Sequence, residues 1–346
     1  MSDPLPITPP VPDNASERRL VEIRREAETK GMVTAKGIRP GGAPFPIASP
    51  ETGYYGIPLL KKPAWTWEIP LYFFVGGAAG AAAVVGAVAD YSGADRKLVR
   101  DARWIAAAGT VLSPALLIAD LGRPARFLNM LRVFKPQSPM SVGVWTLIGF
   151  SAGASAAAFA ELLSDRYGGS FPVRVLEQAG QAASLLFGLP FSNYTGVLIG
   201  ATAIPAWNEN AADLPLHFGM SGLSAAVGLL ELMGHRQSRA LEMLGLGAAL
   251  FEIWEGLRIE ARRKPALGPL KHGASGALTR IGGLLSGPVP AALRLMNLVS
   301  GERASRRKAA AISAVAGSLL TRIAWIYAGH VSARDWRIPL GIDQHT

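Results

Sequence analysis

The chain has 346 residues, of which 49% are hydrophobic and 17% charged, with a formal net charge of +10. Soluble domains carry about 25% charged residues, so an ordinary soluble domain is excluded and an all-α polytopic membrane protein is expected. The bases flank apolar runs rather than gathering on a soluble face, which removes nucleic acid as a partner and leaves the lipid bilayer as the surroundings.

There is no cysteine, so the chain offers no thiolate for zinc or for an iron–sulfur cluster. Of its five histidines, just His217 and His330 lie in or at the edge of apolar runs. A di-haem cytochrome needs four axial ligands, so neither haem nor any metal is expected in this chain.

Residues 1–60 are rich in Pro and Gly and read as an extramembrane tail, with one charged helical candidate over 16–30. Arg18 and Arg19 form a pair, but no apolar stretch follows, so a twin-arginine signal is not read here. The tail is either a disordered cytoplasmic arm or a strap on a partner subunit.

Spanning a bilayer of ~30 Å takes about 20 apolar residues. Eight runs are expected to do so: residues 67–89, 102–121, 141–163, 178–206, 211–233, 240–259, 277–299 and 309–330. The fourth is expected to break at Pro190, and the seventh is weakened by Gly282, Gly283, Gly287, Pro288 and Pro290. Two four-helix bundles follow as the expected architecture, one over 61–206 and one over 207–346. An even count puts both termini on one side, and the basic tail places them in the cytoplasm of a cell inner (cytoplasmic) membrane.

The first run is entered through Lys61, Lys62, Trp65 and Trp67, an interfacial anchor. Its Gly76-Gly77-Ala78-Ala79-Gly80 core leaves little side chain and permits close helix approach. Glu68 stands at its mouth with Tyr72 one turn deeper on the same face. An acid and a phenol so spaced fit a quinone ring: Glu68 or Asp120 relays the proton, and Tyr72 bonds a carbonyl oxygen. The alternative is a headgroup-level Glu68 paired with Lys61 or Lys62.

Asp120 ends the second run at an Asp120-Leu121-Gly122-Arg123-Pro124 corner. A basic segment with Arg126, Arg132 and Lys135 follows, and the chain re-enters at Ser138-Pro139-Met140-Ser141. Ionisable groups at such depth mark a pathway or a site, although Asp120 and Arg123 also fit a helix-end ion pair. Tyr194, beyond Pro190, is a second quinone contact or a tyrosine that satisfies a neighbour. Glu231, Glu252, Glu255 and Arg322 lie in or near the later runs and form a candidate proton path, which His217 and His330 could extend. An unpaired Arg at mid-bilayer costs about 3 kcal/mol, so Arg322 is expected to pair with Glu252 or Glu255.

Several stretches resemble the NrfD/PsrC family, the membrane subunits of polysulfide-reductase-like complexes. They are Tyr54-Tyr55-Gly56-Ile57-Pro58, residues 67–77, residues 120–127, Ser138-Pro139-Met140-Ser141, Tyr194-Thr195-Gly196-Val197-Leu198 and residues 322–329. The resemblance implies a haem-free integral subunit that exchanges electrons with menaquinone or ubiquinone. It also implies an iron–sulfur subunit docked beside the quinone pocket and a molybdopterin catalytic subunit beyond it. The pocket is expected near Trp67, Glu68, Tyr72, Asp120, Arg123 and Tyr194. Family members of the polysulfide-reductase type carry an Asn and a His near this helix start, where this chain has Trp67-Glu68-Ile69-Pro70-Leu71-Tyr72. The rival readings are a multi-span transporter, a proton-translocating subunit without quinone chemistry and a purely structural anchor.

Overall fold

A computed structural model describes residues 60–335 except 122, 124, 237 and 302, together with 22, 25, 26, 29, 33–34, 37–38 and 338. The chain divides into two compact units, residues 1–59 and 60–346. In the first unit Glu22, Arg25, Glu26 and Thr29 are helical, within the expected 16–30 candidate. Strands β1 (Val33–Thr34) and β2 (Gly37–Ile38) pair antiparallel there, Val33 opposite Ile38 and Thr34 opposite Gly37.

The second unit is helical throughout its described regular structure. Its long helices are α1 (Glu68–Tyr91), α2 (Arg96–Asp120), α4 (Pro139–Tyr167), α5 (Phe171–Gly200), α7 (Leu214–Leu232), α8 (Arg239–Ala261) and α12 (Ala304–Arg334). Short α3 (Arg126–Met130), α6 (Pro205–Asn208) and α9 (Gly268–Lys271) lie at turns, and α10 (Gly273–Ser286) continues into α11 (Pro288–Ser300) across Gly287. All eight expected runs are thus helical. By length and composition five helices, α1, α2, α4, α5 and α12, are long and apolar enough to cross a membrane. The count of eight crossings goes beyond that number.

Local signals set the boundaries. Asp95 caps α2 by accepting from the Lys97 amide at 3.2 Å, and Ser138 and Ser238 cap α4 and α8 in the same way. Pro139 occupies the first turn of α4, where its missing N–H costs nothing. The break expected at Pro190 is absent: α5 is continuous from Phe171 to Gly200 and ends six residues short of the expected limit. Proline removes one ladder bond, the one to the Leu186 carbonyl, and the helices packed around it keep α5 continuous. Ser192 Oγ and Asn193 Nδ2 both donate to the Leu189 carbonyl, at 2.8 and 2.7 Å.

α1 sits at the centre. It packs on α2 and α5, and also on α7 and α12 from the later part of the chain. A helix surrounded in this way needs small residues, and α1 supplies them from Gly76 to Gly80. At Gly80 a Cβ would lie 2.6 Å from the Gly188 carbonyl of α5, so the two backbones touch. The largest core cluster joins Tyr72, Phe73, Phe150, Phe191, Trp207, Phe218 and Trp325, drawn from α1, α4, α5, α6, α7 and α12.

The antiparallel succession of helices puts the α1–α2 and α11–α12 turns at one end and the α3 segment and the α8–α9 turn at the other. Because the chain lacks cysteine, single substitutions report this directly. Ser92→Cys and Ser300→Cys should react with a membrane-impermeant thiol reagent from one face, Lys135→Cys and Arg263→Cys from the other. Labelling of positions 263 and 300 from the same face would remove the α10–α11 pair as a crossing.

Candidate functional site

The strand of chain that leads into α1 ties two acids together. The Thr66 backbone N–H donates to the Asp120 carboxylate, while the Thr66 hydroxyl donates to the Glu68 carboxylate. Glu68 lies in the first turn of α1 and Asp120 is the last residue of α2, both half-buried. Glu68 thus stands at the N-terminal end of one helix and Asp120 at the C-terminal end of another. Thr66 contacts both acids, one through its backbone and one through its side chain.

The surroundings are aromatic. Trp65 stacks on Trp207 at 5.3 Å and meets Phe73 edge-on at 6.2 Å. Trp67 is 66% exposed, at the rim. Tyr72 is 2% exposed, with ring centroids 5.7 Å from Phe73 and 6.5 Å from Phe191. Tyr194 is also buried, and its ring lies where a Cβ on Gly143 of α4 would otherwise be. Tyr72 lies one turn beyond Glu68 in α1, and Tyr194 is packed against the first turns of α4.

Arg123 is exposed, and its backbone N–H donates to the Leu121 carbonyl at 2.7 Å. Among the described ion pairs neither Asp120–Arg123 nor Glu68 with Lys61 or Lys62 occurs, so both bland pairings expected from spacing give way to the Thr66 bridge. With Arg132 and Lys135, also exposed, Arg123 makes the surface beside the acids basic.

The sequence model of the family described as "Polysulphide reductase, NrfD" matches residues 60–242, more than half of the chain. The chain belongs to the NrfD family. It is a multi-pass membrane protein. Comparison with curated proteins finds no match. The NrfD match encloses Trp67, Glu68, Tyr72, Asp120, Arg123, Tyr194 and Glu231, and stops before Glu252, Glu255 and Arg322.

In this NrfD chain the residues of the expected proton path fall into different environments. Glu231 is locked in a bidentate pair with Arg294, both contacts 2.7 Å and both side chains at most 1% exposed. Glu255 is held by Arg258 at 2.6 and 2.8 Å, and Arg258 also reaches Asp213 at 2.5 Å. Glu252 is different. One of its oxygens accepts from Ser286 Oγ at 3.2 Å, and the other has no partner. His217 Nε2 stands 3.9 Å away, and neither ring nitrogen of His217 has a hydrogen bond.

Arg322 does not take the carboxylate partner expected for it. It is fully buried, and its guanidinium donates to the Phe73 and Phe218 carbonyls, each at 3.0 Å, to the Ser318 carbonyl at 3.0 Å, and to the hydroxyls of Ser221 and Ser318 at 2.8 Å. Glu252 acts on it only through space. Carbonyl and hydroxyl oxygens suffice because the planar fork presents five donors, and Gly77 leaves the room: a Cβ there would lie 2.7 Å from Arg322 Nη2.

Sequence reasoning missed Arg294, Arg307 and Arg103. The signal for Arg294 was present, since an Arg inside the seventh run needs a partner. Arg307, 1% exposed, pairs with Glu242 at 2.7 Å.

Removing one member of a buried ion pair strands the other, at about 3–5 kcal/mol. Glu231→Gln should therefore lower the thermal midpoint of the detergent-purified chain markedly, while Glu231→Leu with Arg294→Met should recover most of the loss. A double variant as unstable as the single would assign Glu231 a role other than pairing with Arg294.

Proposed function

We propose that this chain is the quinone-reactive membrane subunit of a molybdopterin/iron–sulfur oxidoreductase complex. It would pass electrons between the quinone pool and an iron–sulfur partner. The observation that carries this reading is the Glu68–Thr66–Asp120 unit at the helix end that the NrfD match encloses. A quinone exchanges two electrons and two protons, so the membrane subunit must supply a proton carrier beside the ring and leave the electrons a short path to a partner.

The residues present fit that task. Asp120 and Glu68, joined through Thr66, hold and release the proton at the mouth of the site. Trp67 and Trp65 offer flat apolar faces at the membrane surface for a ring and its tail. Tyr72 and Tyr194 close the floor, and their burial excludes water from below. With no cysteine the chain has no thiolate for an iron–sulfur cluster, so the electrons pass to a partner subunit. The exposed Arg123, Arg132 and Lys135 beside the site suit the docking of that partner. On this reading the chain is a subunit of an oxidoreductase and not an enzyme alone, its place is the cell inner membrane, and its termini face the cytoplasm.

A second reading, proton translocation without quinone chemistry, is favoured by Glu252 and His217. Of the path residues Glu231, Glu252, Glu255 and Arg322, Glu252 alone keeps an oxygen without a partner, so we assign proton carriage there and a structural role to the other three.

Positioned acid–base groups contribute about 10²–10⁴-fold to a reaction. Asp120→Asn and Glu68→Gln should each cut quinol-linked turnover of the purified complex by about 100-fold while leaving its subunit composition intact. Unchanged turnover in an assembled Asp120→Asn complex would take Asp120 out of the mechanism.

A further inference from the structure

At the far end of the first helix group, α1, α2, α4 and α5 bring a second set of charges together. Arg103 of α2 is 8% exposed. Its Nη1 donates to Glu177 at 2.6 Å, its Nη2 to Asp90 at 3.1 Å and its Nε to Gln181 at 3.1 Å. Gln181 Nε2 in turn donates to the same Asp90 oxygen at 2.7 Å. One guanidinium is thereby almost fully used.

A third carboxylate faces it. Glu161 of α4 is 2% exposed, its Oε2 lies 3.7 Å from Arg103 Nη1, and that oxygen has no hydrogen-bond partner. An ionised carboxylate beside a guanidinium closes to about 2.7–2.9 Å, as Glu177 does. Glu161 stands farther off, within ion-pair range of Arg103 but without a hydrogen bond to it. The other charged groups that act on Glu161 are Arg96 and Arg100 of α2 and Glu177 of α5, and Arg100 is engaged at 2.7 Å with Asp165. A purely structural cluster gains nothing from a buried acid with a free oxygen, since burying it without a bond is costly.

Two spaces adjoin the residues that surround Arg103. An outer cleft lined by Asp90, Gln178 and Gln181 opens to the surface, where Asp90 is 45% exposed. An inner cavity lined by Arg103, Gln181 and Ser184 among alanines and glycines has room for about one water molecule. Gln181 borders both. Farther in, Phe150 and Phe191 stack at 4.9 Å, and Tyr72 lies beyond them.

We propose that Glu161 is a proton-exchange site on the membrane face opposite Glu68 and Asp120, reached through the Asp90–Gln181 cleft and continued inward by the water of the Arg103–Gln181–Ser184 cavity. The step moves one proton: an O–H bond of a hydronium in the cleft breaks as the Glu161 O–H bond forms, and release is the reverse. Arg103 stays charged throughout and holds Glu177 and Asp90 in place. The Phe150–Phe191 layer keeps this proton apart from the one handled at Thr66.

The test is infrared spectroscopy of the full chain in liposomes, read at the carbonyl stretch of protonated carboxyl groups. The wild-type chain should show a band that shifts rapidly in deuterated buffer. Glu161→Gln should lose it, Glu161→Asp should retain it at a displaced frequency, and Asp120→Asn should leave it unchanged. Gln181→Leu should slow its deuterium exchange by at least about tenfold, as expected when one polar bridge in a narrow path is removed. A spectrum identical in wild type and Glu161→Gln, or a Glu161 band that does not exchange, would overturn the proposal. Helicity and thermal midpoint of each variant establish that it is folded, and the aspartate variant serves if the glutamine variant is not. The measurement needs neither quinone nor partner, so its outcome is independent of the turnover of Asp120→Asn.

Discussion

A fully buried guanidinium decides how closely three helices of this protein come together. Arg322 of α12 reaches carbonyls on α1 and α7 and hydroxyls on α7 and α12. Each bond needs its acceptor within about 3 Å, so the backbones of α1 and α7 must lie against the side chain with nothing between. Gly77 and Gly222 meet this demand from opposite sides: a Cβ on Gly222 would fall 2.7 Å from the Gly77 carbonyl. Hydrophobic attraction between helices is weak in lipid, so such polar bonds and close packing carry much of the cohesion. Phe218 contributes its ring face as well, 5.4 Å from the guanidinium carbon.

Fixing α1 in this way fixes what lies at its two ends. Arg322 bonds to Phe73, the residue next to Tyr72 and little more than one turn from Glu68. The approach segment at Trp65 and Thr66 is then held by the Trp65–Trp207 stack, and Trp207 Nε1 itself donates to the Trp325 carbonyl of α12 at 2.7 Å. The helix that carries Arg322 therefore also braces the loop that carries Thr66. Placement of the Glu68–Asp120 pair thus depends on contacts that span the chain from residue 66 to residue 325.

Much of this was legible from sequence, and the omissions have physical causes. Every apolar run became a helix because spacing and length follow from composition alone. Glu68 and Asp120 were expected near one another, but not their link through Thr66, since a backbone amide leaves no trace in residue identity. Pro190 was expected to break its helix because proline does so in isolation; inside a packed group the neighbouring helices hold the helix together. Arg322 was assigned a carboxylate by matching charge to charge, whereas three carbonyls and two hydroxyls satisfy it. Glu231 and Arg294 are separated by 63 residues, too far for any local pattern to pair them.

The distribution of charges separates acids that are hydrogen-bonded by an arginine from acids that are not. Glu231, Glu242 and Glu255 are each bonded by an arginine at 2.8 Å or less, and protonating them would strand a cation in a poorly solvated interior. Glu252 and Glu161 each keep an oxygen without a partner, and Glu68 and Asp120 lean on a threonine instead of a cation. None of these four is hydrogen-bonded by an arginine among the described contacts, although Glu161 lies 3.7 Å from Arg103 Nη1. They are spread over three places: the Thr66 end of the first helix group, its opposite end, and the interior of the later helices. On the proposed reading, acids of this kind are the ones suited to carry protons, because no hydrogen-bonded cation is stranded when they take one up.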